Sequence, residues 1–393
     1  MFTWHTCRFM GKSRNQSGRR KLGLIVNPIA GIGGRVGLKG SDGAEIQKKA
    51  LELGAVPQSL DRTVQALERV TSMKEDLEVI TYPSEMGEDA AKECGFDPIV
   101  VGSIRKGKTT AEDTKNAAKE MLRLGVDLLL FAGGDGTARD IYNAIGEKTP
   151  VLGIPAGVKI HSAVFAISPR SAGDLAVLYL RGRCGILEAE VMDVDEEAIR
   201  QGIVSAKLYG YLKIPFEKRL TQGVKTPSSG GEKEAMEAIA CEIVDRMKDD
   251  YLYIIGPGTT TRAITSKLGL NKTLIGVDVV SKGKLAGTDV NEAQLLKFLE
   301  KRKAKIIITP IGGQGYIVGR GNQQISPEVI KKVGRDNIMV VATSEKINSL
   351  RGKPFFVDTG DRAVDRMLSG YIRVITGYNE EIVYKTSCYG GAS

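Results

Sequence analysis

One stretch constrains this chain more than any other. Leu128, Leu129, Leu130, Phe131 and Ala132 run without a polar break into the loop Gly133-Gly134-Asp135-Gly136-Thr137. A short apolar run closed by glycines predicts a strand buried on both faces of a parallel sheet. Beyond the loop, Ile141, Ala144 and Ile145 recur at helical spacing, and Gly146 supplies a stop. The unit is strand, glycine turn, helix. Such a unit aims backbone N–H groups and the positive end of a helix dipole at whatever lies above the strand's carboxyl end. Gly133, Gly134 and Gly136 carry no Cβ to keep a phosphate off the backbone, and Thr137 adds a hydroxyl. Asp135 would repel that phosphate unless it accepts a proton or holds a metal, which makes it the catalytic candidate. The competing reading is a tight turn with Asp in its common place before Gly.

Two further stretches flank this loop: Asn27-Pro-Ile-Ala-Gly-Ile-Gly-Gly34 ahead of it and Gly153-Ile-Pro-Ala-Gly-Val-Lys-Ile-His-Ser162 behind it. The Gly-Gly-Asp-Gly-Thr loop is shared with NAD kinases, diacylglycerol and sphingosine kinases and, less fully, phosphofructokinases. With its flanks, the chain resembles the ATP-NAD kinases of the AcoX-like branch, strongly over residues 1–165 and more loosely beyond. The resemblance implies phosphoryl transfer from ATP or polyphosphate, with Mg²⁺, to a hydroxyl of a nucleotide-like acceptor, NAD to NADP being the leading case. Asp135 would then accept the hydroxyl proton. Asn27, Gly31, Gly33, Gly34, Gly133, Gly134, Gly136 and Thr137 would bind nucleotide or phosphate. The third loop departs from the glycine-rich, Asn-containing loop of the family, and its residues are read from their own chemistry: Lys159 would neutralise phosphate, and His161 and Ser162 would bond a ribose or phosphate. Family kinases carry an Asn-Glu or Asn-Asp motif further on that grips a ribose. The nearest counterpart here is Asp193-Val194-Asp195-Glu196, which makes Asp195 a weaker substrate-binding candidate.

Composition narrows the partners. The chain has 393 residues, 42% hydrophobic and 26% charged, enough for two domains. Its net charge is +9, but Arg8, Lys12, Arg14, Arg19 and Arg20 lie in the first 20 residues without a single acid, leaving +4 for the rest. A nucleic-acid binder would concentrate charge in its folded body, so a small anionic substrate is expected and nucleic acid is not. The five cysteines are scattered with no CxxC, and His5 and His161 are the only histidines. That pattern fits a reducing compartment and argues against a disulfide framework, a zinc site or a histidine-rich metal centre. The first 20 residues have no apolar core of signal-peptide type, and no run reaches the ~20 apolar residues of a membrane helix. The expectation is a cytoplasmic protein without a membrane partner, a homo-oligomer, with residues 1–20 a disordered basic arm.

Residues 21–165 read as one nucleotide-binding domain. Strands are predicted at Leu22–Val26, Leu77–Ile80, Ile99–Val101 and Val151–Ile154, with helices at 44–53, 59–72 and Asp89–Cys94. Thr109-Thr-Ala-Glu112 predicts a capping box for a helix whose apolar face is Ala117, Ala118, Met121 and Leu122. Alternating strands and helices predict a doubly wound sheet with ligands at the carboxyl ends of its strands. Asn27–Gly34, Gly133–Thr137 and Pro155–Ser162 all fall on that edge. The glycines at 31, 33, 34, 37, 40 and 43 are read as a loop that hugs a ligand, with Arg35, Lys39 and Asp42 adding chemistry that a mobile linker lacks.

Residues 166–345 read as a second domain. Ala189–Ile214 is strand-like, and 221–233 is a loop. Met236, Ile239, Ala240, Ile243, Val244 and Met247 give a helix with an apolar stripe. Tyr251–Ile255 is a strand feeding Gly256-Pro-Gly-Thr-Thr-Thr-Arg262, a second anion cradle that resembles the phosphosugar loop of ribose-phosphate isomerases. Gly256, Gly258, Thr259 and Thr260, with Gly312, Gly313 and Gly315, are therefore weaker substrate-binding candidates. Strands at Leu274–Val280, Lys305–Thr309 and Ile338–Ala342 continue the series, and Ser326-Pro327 marks a helix start. The resemblance implies a mostly β second domain, whereas these residues predict an α/β one. Residues 346–393 form a hairpin, Tyr371–Thr376 with Ile382–Lys385, expected to return to the first domain. Two rival functions stay open: the same chemistry on another small alcohol or sugar, and a non-catalytic module that senses a nucleotide or phosphosugar.

Overall fold

The computed structural model describes residues 19–38, 44–157, 160–194, 206–217, 232–273, 275–300, 302–312 and 314–388. Residues 1–18 of the arm, Lys39, Asp42, Lys159, Asp195, Glu196, Gly313 and the 221–231 part of the expected loop lie outside the described residues.

The first sheet is wholly parallel: β1 (Arg20–Val26), β2 (Leu77–Thr81), β3 (Ile99–Val100), β4 (Leu128–Gly133) and β5 (Val151–Pro155), in the order β3-β2-β1-β4-β5. β4 and β5 are buried along their whole length, as their unbroken apolar runs require. Helices α1 (Ala44–Glu52), α2 (Ser59–Val70), α3 (Glu88–Glu93), α4 (Ala111–Arg123), α5 (Asp135–Ile145) and α6 (Pro169–Leu180) connect or follow these strands. Ala66, Leu67, Ala90, Ala172 and Leu175 of α2, α3 and α6 pack on one face of the sheet. Met121 and Ile141 of α4 and α5 pack on the other, making the sheet doubly wound. The strand order turns back between β1 and β4, and the loops after these two strands flank the crevice that such a reversal opens.

A two-stranded antiparallel ribbon, β6 (Gly185–Val194) and β7 (Ala206–Phe216), adds Ala189, Val191, Leu212 and Ile214 to the core beside α4 and α5. Residues 169–216 thus share the first sheet's two cores, although the second domain was expected to begin at 166. Helix α6 escaped the sequence reading. Its Ser168-Pro169 start is the same signature as Ser326-Pro327, with the Ser168 hydroxyl accepting from the Ser171 N–H at 3.1 Å.

The second sheet has nine strands of mixed direction. Its elements are α7 (Glu232–Asp245), β8 (Leu252–Ile255), α8 (Thr259–Lys267), β9 (Asp278–Ser281), β10 (Lys284–Gly287), α9 (Glu292–Phe298), β11 (Ala304–Ile308), β12 (Tyr316–Val318), α10 (Pro327–Val333), β13 (Ile338–Val341), α11 (Ser344–Ser349), β14 (Phe355–Val357), α12 (Arg362–Leu368), β15 (Gly370–Gly377) and β16 (Glu380–Cys388). The order is β10-β9-β8-β11-β13-β15-β16-β14-β12, with β8, β11, β13 and β15 parallel. Ile239 and Ile243 of α7 and Ile264 of α8 cover one face. Leu295, Val329, Ile330 and Val364 of α9, α10 and α12 cover the other, so the second unit is α/β as its residues predict.

Four expectations need correction. The β15–β16 hairpin itself joins the second sheet, β15 beside β13 and β16 beside β14, while Asp358 and Arg362 of the same C-terminal segment reach Arg62 and Glu68 of α2, each at 2.7 Å. The strand expected over Leu274–Val280 is confined to β9 and runs antiparallel to β8. The capping box is one residue later than read, because the Asp113 carboxylate accepts from the Thr110 N–H at 2.7 Å and the Thr110 hydroxyl at 2.8 Å. The arm ends sooner, since Arg20 already opens β1 opposite Leu77 and pairs with Asp127 at 3.3 Å. Among the described residues, no helix is long and apolar enough to cross a membrane.

Candidate functional site

Asp135 is the first residue of α5, set there because β4 ends in glycines that let the chain turn without a side chain in the way. Its carboxylate is about nine-tenths buried, with 10% of the side chain exposed. Both oxygens are engaged by the loop that follows β5. Oδ1 accepts from the Ser162 N–H at 2.9 Å, and Oδ2 accepts from the His161 N–H at 2.9 Å. The His161 ring Nδ1 lies 3.3 Å from Oδ2 and donates when it carries the proton. Successive N–H groups of this kind form an anion-binding concavity. The α5 N-terminus lies beside the same carboxylate. A carboxylate has roughly four acceptor positions. Backbone N–H groups of this loop fill two and protonated His161 Nδ1 a third, which leaves room on Oδ1 for one further donor.

The loops after β1, β4 and β5 meet at the carboxyl edge of the first sheet, where the sequence puts them, and they interlock. Asn27 is central to this: its N–H donates to the Ala132 carbonyl at 2.9 Å and its Nδ2 to the Thr137 hydroxyl at 3.0 Å, while its Oδ1 accepts from the Ile29 N–H at 3.2 Å. The Gly133 carbonyl accepts from Ala156 N at 3.0 Å and Gly157 N at 2.9 Å, joining the second loop to the third. Gly31 has φ +77°, and a Cβ there would lie 2.1 Å from the Ala156 carbonyl oxygen, so the first loop touches the third backbone to backbone. Gly33 and Gly34 are buried in the same turn, and Gly136 follows Asp135 in the first turn of α5. Ser162 is fully buried, and its hydroxyl accepts from the Met192 N–H at 2.9 Å. His161 is buried against Asp135. Asp193, whose neighbour Asp195 was the ribose candidate, lies at the end of β6.

The second unit closes on this crevice. A Cβ on Gly34 would meet the Gln323 side chain at 3.3 Å, and the Arg35 carbonyl accepts from the Glu292 N–H at 3.2 Å. Gln314, 6% exposed, donates from Nε2 to the Ile160 carbonyl at 3.2 Å. Gly312 and Gly315 frame the turn that presents it, with Gln314 N and Gly315 N donating to the Ile311 carbonyl at 3.2 and 2.8 Å. Arg320, also 6% exposed, donates to the Ile167 carbonyl at 2.7 Å. Sequence reasoning misses Gln314 and Arg320, although Gln314 stands among the candidate glycines 312–315 and Arg320 between Gly319 and Gly321.

The Gly256–Arg262 stretch forms a separate cluster at the carboxyl ends of β8, β11 and β13. Gly258 takes φ +130°, and a Cβ there would lie 2.6 Å from Thr309 Cγ2. The Thr261 hydroxyl donates to the Gly256 and Gly258 carbonyls at 2.7 and 3.0 Å, so it shapes the loop rather than facing outward. Thr260 is buried and accepts from Lys346 Nζ at 2.8 Å, and Lys346 also reaches the Thr309 hydroxyl at 3.3 Å. Thr259 is the least buried hydroxyl of the three. Beside β8, Lys272 donates to the Thr273 and Gly276 carbonyls at 2.9 and 3.0 Å and sits 3.7 Å from Asp278. Burial pushes the Lys272 ammonium down to about 8, partly offset by Asp278.

Among the described residues, no group of three or more His, Cys, Asp or Glu is placed to hold a metal ion. Asp135, the one acid in the crevice loop, has both oxygens turned to N–H donors, which does not fit a resident metal ligand.

Residues 22–184 match the ATP-NAD kinase N-terminal domain, and residues 248–386 match the ATP-NAD kinase C-terminal domain. Among solved structures, a putative diacylglycerol kinase from Bacillus anthracis str. Sterne is similar at 16% identity over 43% of this chain and 44% of that one, with a TM-score of 0.24. A putative UDP-N-acetylglucosamine 2-epimerase from Listeria monocytogenes is similar at 12% identity over 87% and 79%, with a TM-score of 0.26. The chain thus spans less than half the length of the diacylglycerol kinase it matches. No curated protein matches it. With both domains of one family present in order, the first of them carrying the Gly133–Thr137 crevice, the chain belongs to the ATP-NAD kinase family.

Proposed function

We propose that this chain transfers the terminal phosphoryl group of ATP, or of polyphosphate, to a hydroxyl of NAD, giving NADP, as an enzyme of the AcoX-like branch. The observation that carries this is the Asp135 carboxylate, held at the α5 N-terminus in the crevice loop with a single N–H on Oδ1. The acceptor hydroxyl donates to Oδ1, its oxygen attacks the terminal phosphorus, the bond to the bridging oxygen of ADP breaks, and the proton passes to Asp135. Phosphoryl transfer asks an enzyme chiefly to position reactants and balance charge. The interlocked glycine loops and the α5 N-terminus supply that positioning, which can be worth ~7–11 kcal/mol of barrier. A base in Asp135's place adds ~10²–10⁴-fold. Mg²⁺ arrives in this reading as the counterion of the donor's phosphates. The nucleotide domain comprises residues 20–216, and residues 232–388 bring up the acceptor, with Gly256, Gly258, Thr259, Gly312 and Gly315 nearest to that task.

A second acceptor class has one observation in its favour. Lys346 stands over Thr260 and Thr309 beside the Gly256–Thr259 turn, an arrangement suited to a sugar phosphate. One experiment separates the two: incubation with Mg–ATP or Mg–polyphosphate and a panel of NAD, NADH, sugars, sugar phosphates and polyols, read by mass spectrometry. NADP as the main product supports the first reading, and a phosphorylated sugar moves the assignment to the second. Absence of any phosphorylated acceptor would overturn both.

A further inference from the structure

The Asp135 carboxylate is held by the first domain, but what holds it is in turn gripped by the second. The Ile160 carbonyl and the His161 N–H belong to one peptide unit. The carbonyl accepts from Gln314 Nε2 at 3.2 Å, and the N–H donates to Asp135 Oδ2 at 2.9 Å. A peptide unit is planar, so the direction of its C=O fixes the direction of its N–H. Gln314 therefore sets the orientation of the bond that reaches the carboxylate, and each bond polarises the other. Seven residues later the same loop is gripped again, where Arg320 donates to the Ile167 carbonyl at 2.7 Å. Arg320 also lies 3.8 Å from Asp358, which pairs with Arg62 of α2 at 2.7 Å. Between the two grips the loop is tied to its own domain, Gly153 N donating to Val164 O at 2.9 Å and Ala166 N to Gly153 O at 3.0 Å. Ser162 is likewise held within that domain by the Met192 N–H at 2.9 Å, so the Ile160–His161 peptide is the part whose geometry answers to the second domain.

We infer that Gln314, supported by Arg320, is a positioning residue for the reaction: it carries the placement of the second domain, through the Ile160–His161 peptide, into the orientation of the Asp135 carboxylate. This rests on the proposed role of Asp135 as the base. When the second domain is seated, the peptide is fixed and the open position on Oδ1 is presented to the acceptor. When that domain shifts, the peptide loses its outer partner and the carboxylate loses its fixed direction. Substrate that spans both domains thereby assembles the base as it binds.

The test uses the full chain and two variants at Gln314. Gln314→Met keeps the volume and removes the donor, and Gln314→Glu replaces the donor with an acceptor. The structural readout needs no turnover: amide exchange of His161 and Ser162 by mass spectrometry at single-residue resolution. Both variants should speed exchange at these two amides at least tenfold, with β4 and α5 unchanged. Arg362→Ala, which removes an exposed pair between the domains (Arg362 to Glu68, 2.7 Å), should leave exchange as it is. In the kinetic readout, Gln314→Met should lower kcat ~10–100-fold with KM within about threefold, as expected for a misplaced reacting group. In an Asp135→Asn background the same change should have no further effect on kcat, the signature of residues acting as a unit. Unchanged exchange at His161 and Ser162 would overturn the inference, and so would an equal effect of Arg362→Ala or additive losses in the double variant. A wild type without kinase activity would instead remove the proposed function and leave the exchange result to judge the coupling.

Discussion

Arg62 and Asp358 stand 296 positions apart in the chain and meet at 2.7 Å across the seam between the two sheets, each side chain about nine-tenths buried. Removing one partner of a buried pair leaves the other charge uncompensated, at a typical cost of ~3–5 kcal/mol. Arg320, 3.8 Å from the same carboxylate, offsets part of that loss. Arg62→Met should therefore destabilise the protein by about 3 kcal/mol in urea unfolding. A change below about 1 kcal/mol, the range of exposed pairs, would show that the seam does not depend on this contact.

Asp365 gives the seam a pH dependence. Burial is the largest cause raising its carboxyl from 3.8 to about 6, against hydrogen bonds from Thr359 that favour the charged form. A raised acid pKa in the folded state means stability is fully present below the unfolded value and is lost as pH rises through the folded one. The window is thus between about 4 and 6. Asp365→Asn removes this ionisation, so its stability relative to wild type should improve as pH goes from 4 to 7.5, by up to roughly 3 kcal/mol. A gap that stays flat across that range would contradict the assignment.

Gly31 should tolerate no side chain. Its φ of +77° disfavours L residues, and a Cβ would lie 2.1 Å from a backbone oxygen that cannot swing aside. Gly31→Ala should push the Asn27 and Pro155 loops apart and cut turnover more than tenfold, while the thermal midpoint falls only a few degrees. Wild-type kcat in this variant would show that the loop contact has no part in catalysis.

Much of this architecture was legible in the sequence because its signals are local. Apolar runs closed by glycine or by proline-bearing turns predict β1, β4, β5 and β8, and the switch-point loops follow from alternating strands and helices. What was not legible depends on distant partners. The acceptors of the His161 and Ser162 N–H groups lie 26 and 27 residues away on Asp135, and backbone donors leave no mark in the side-chain text. Arg62, Gln314 and Arg320 read as ordinary polar residues until the second sheet is folded against the first. β12 and β14 are three residues each, too short for a period to show. The hairpin's place depends on β13 and β14 as neighbours, which the hairpin's own residues do not specify.

Turnover of Asp135→Asn tests the central claim most directly. The structure sharpens that test: both carboxylate oxygens accept backbone N–H groups, so asparagine must turn its NH₂ toward one of them and lose that bond. Its thermal transition and NAD affinity must therefore be measured beside kcat, with Mg–ATP saturating. If Asp135 is the base, kcat for NADP formation should fall ~10²–10⁴-fold while the NAD dissociation constant moves by less than about threefold. An Asp135→Asn enzyme that keeps wild-type kcat would reduce Asp135 to a staple for the His161–Ser162 turn and contradict the account.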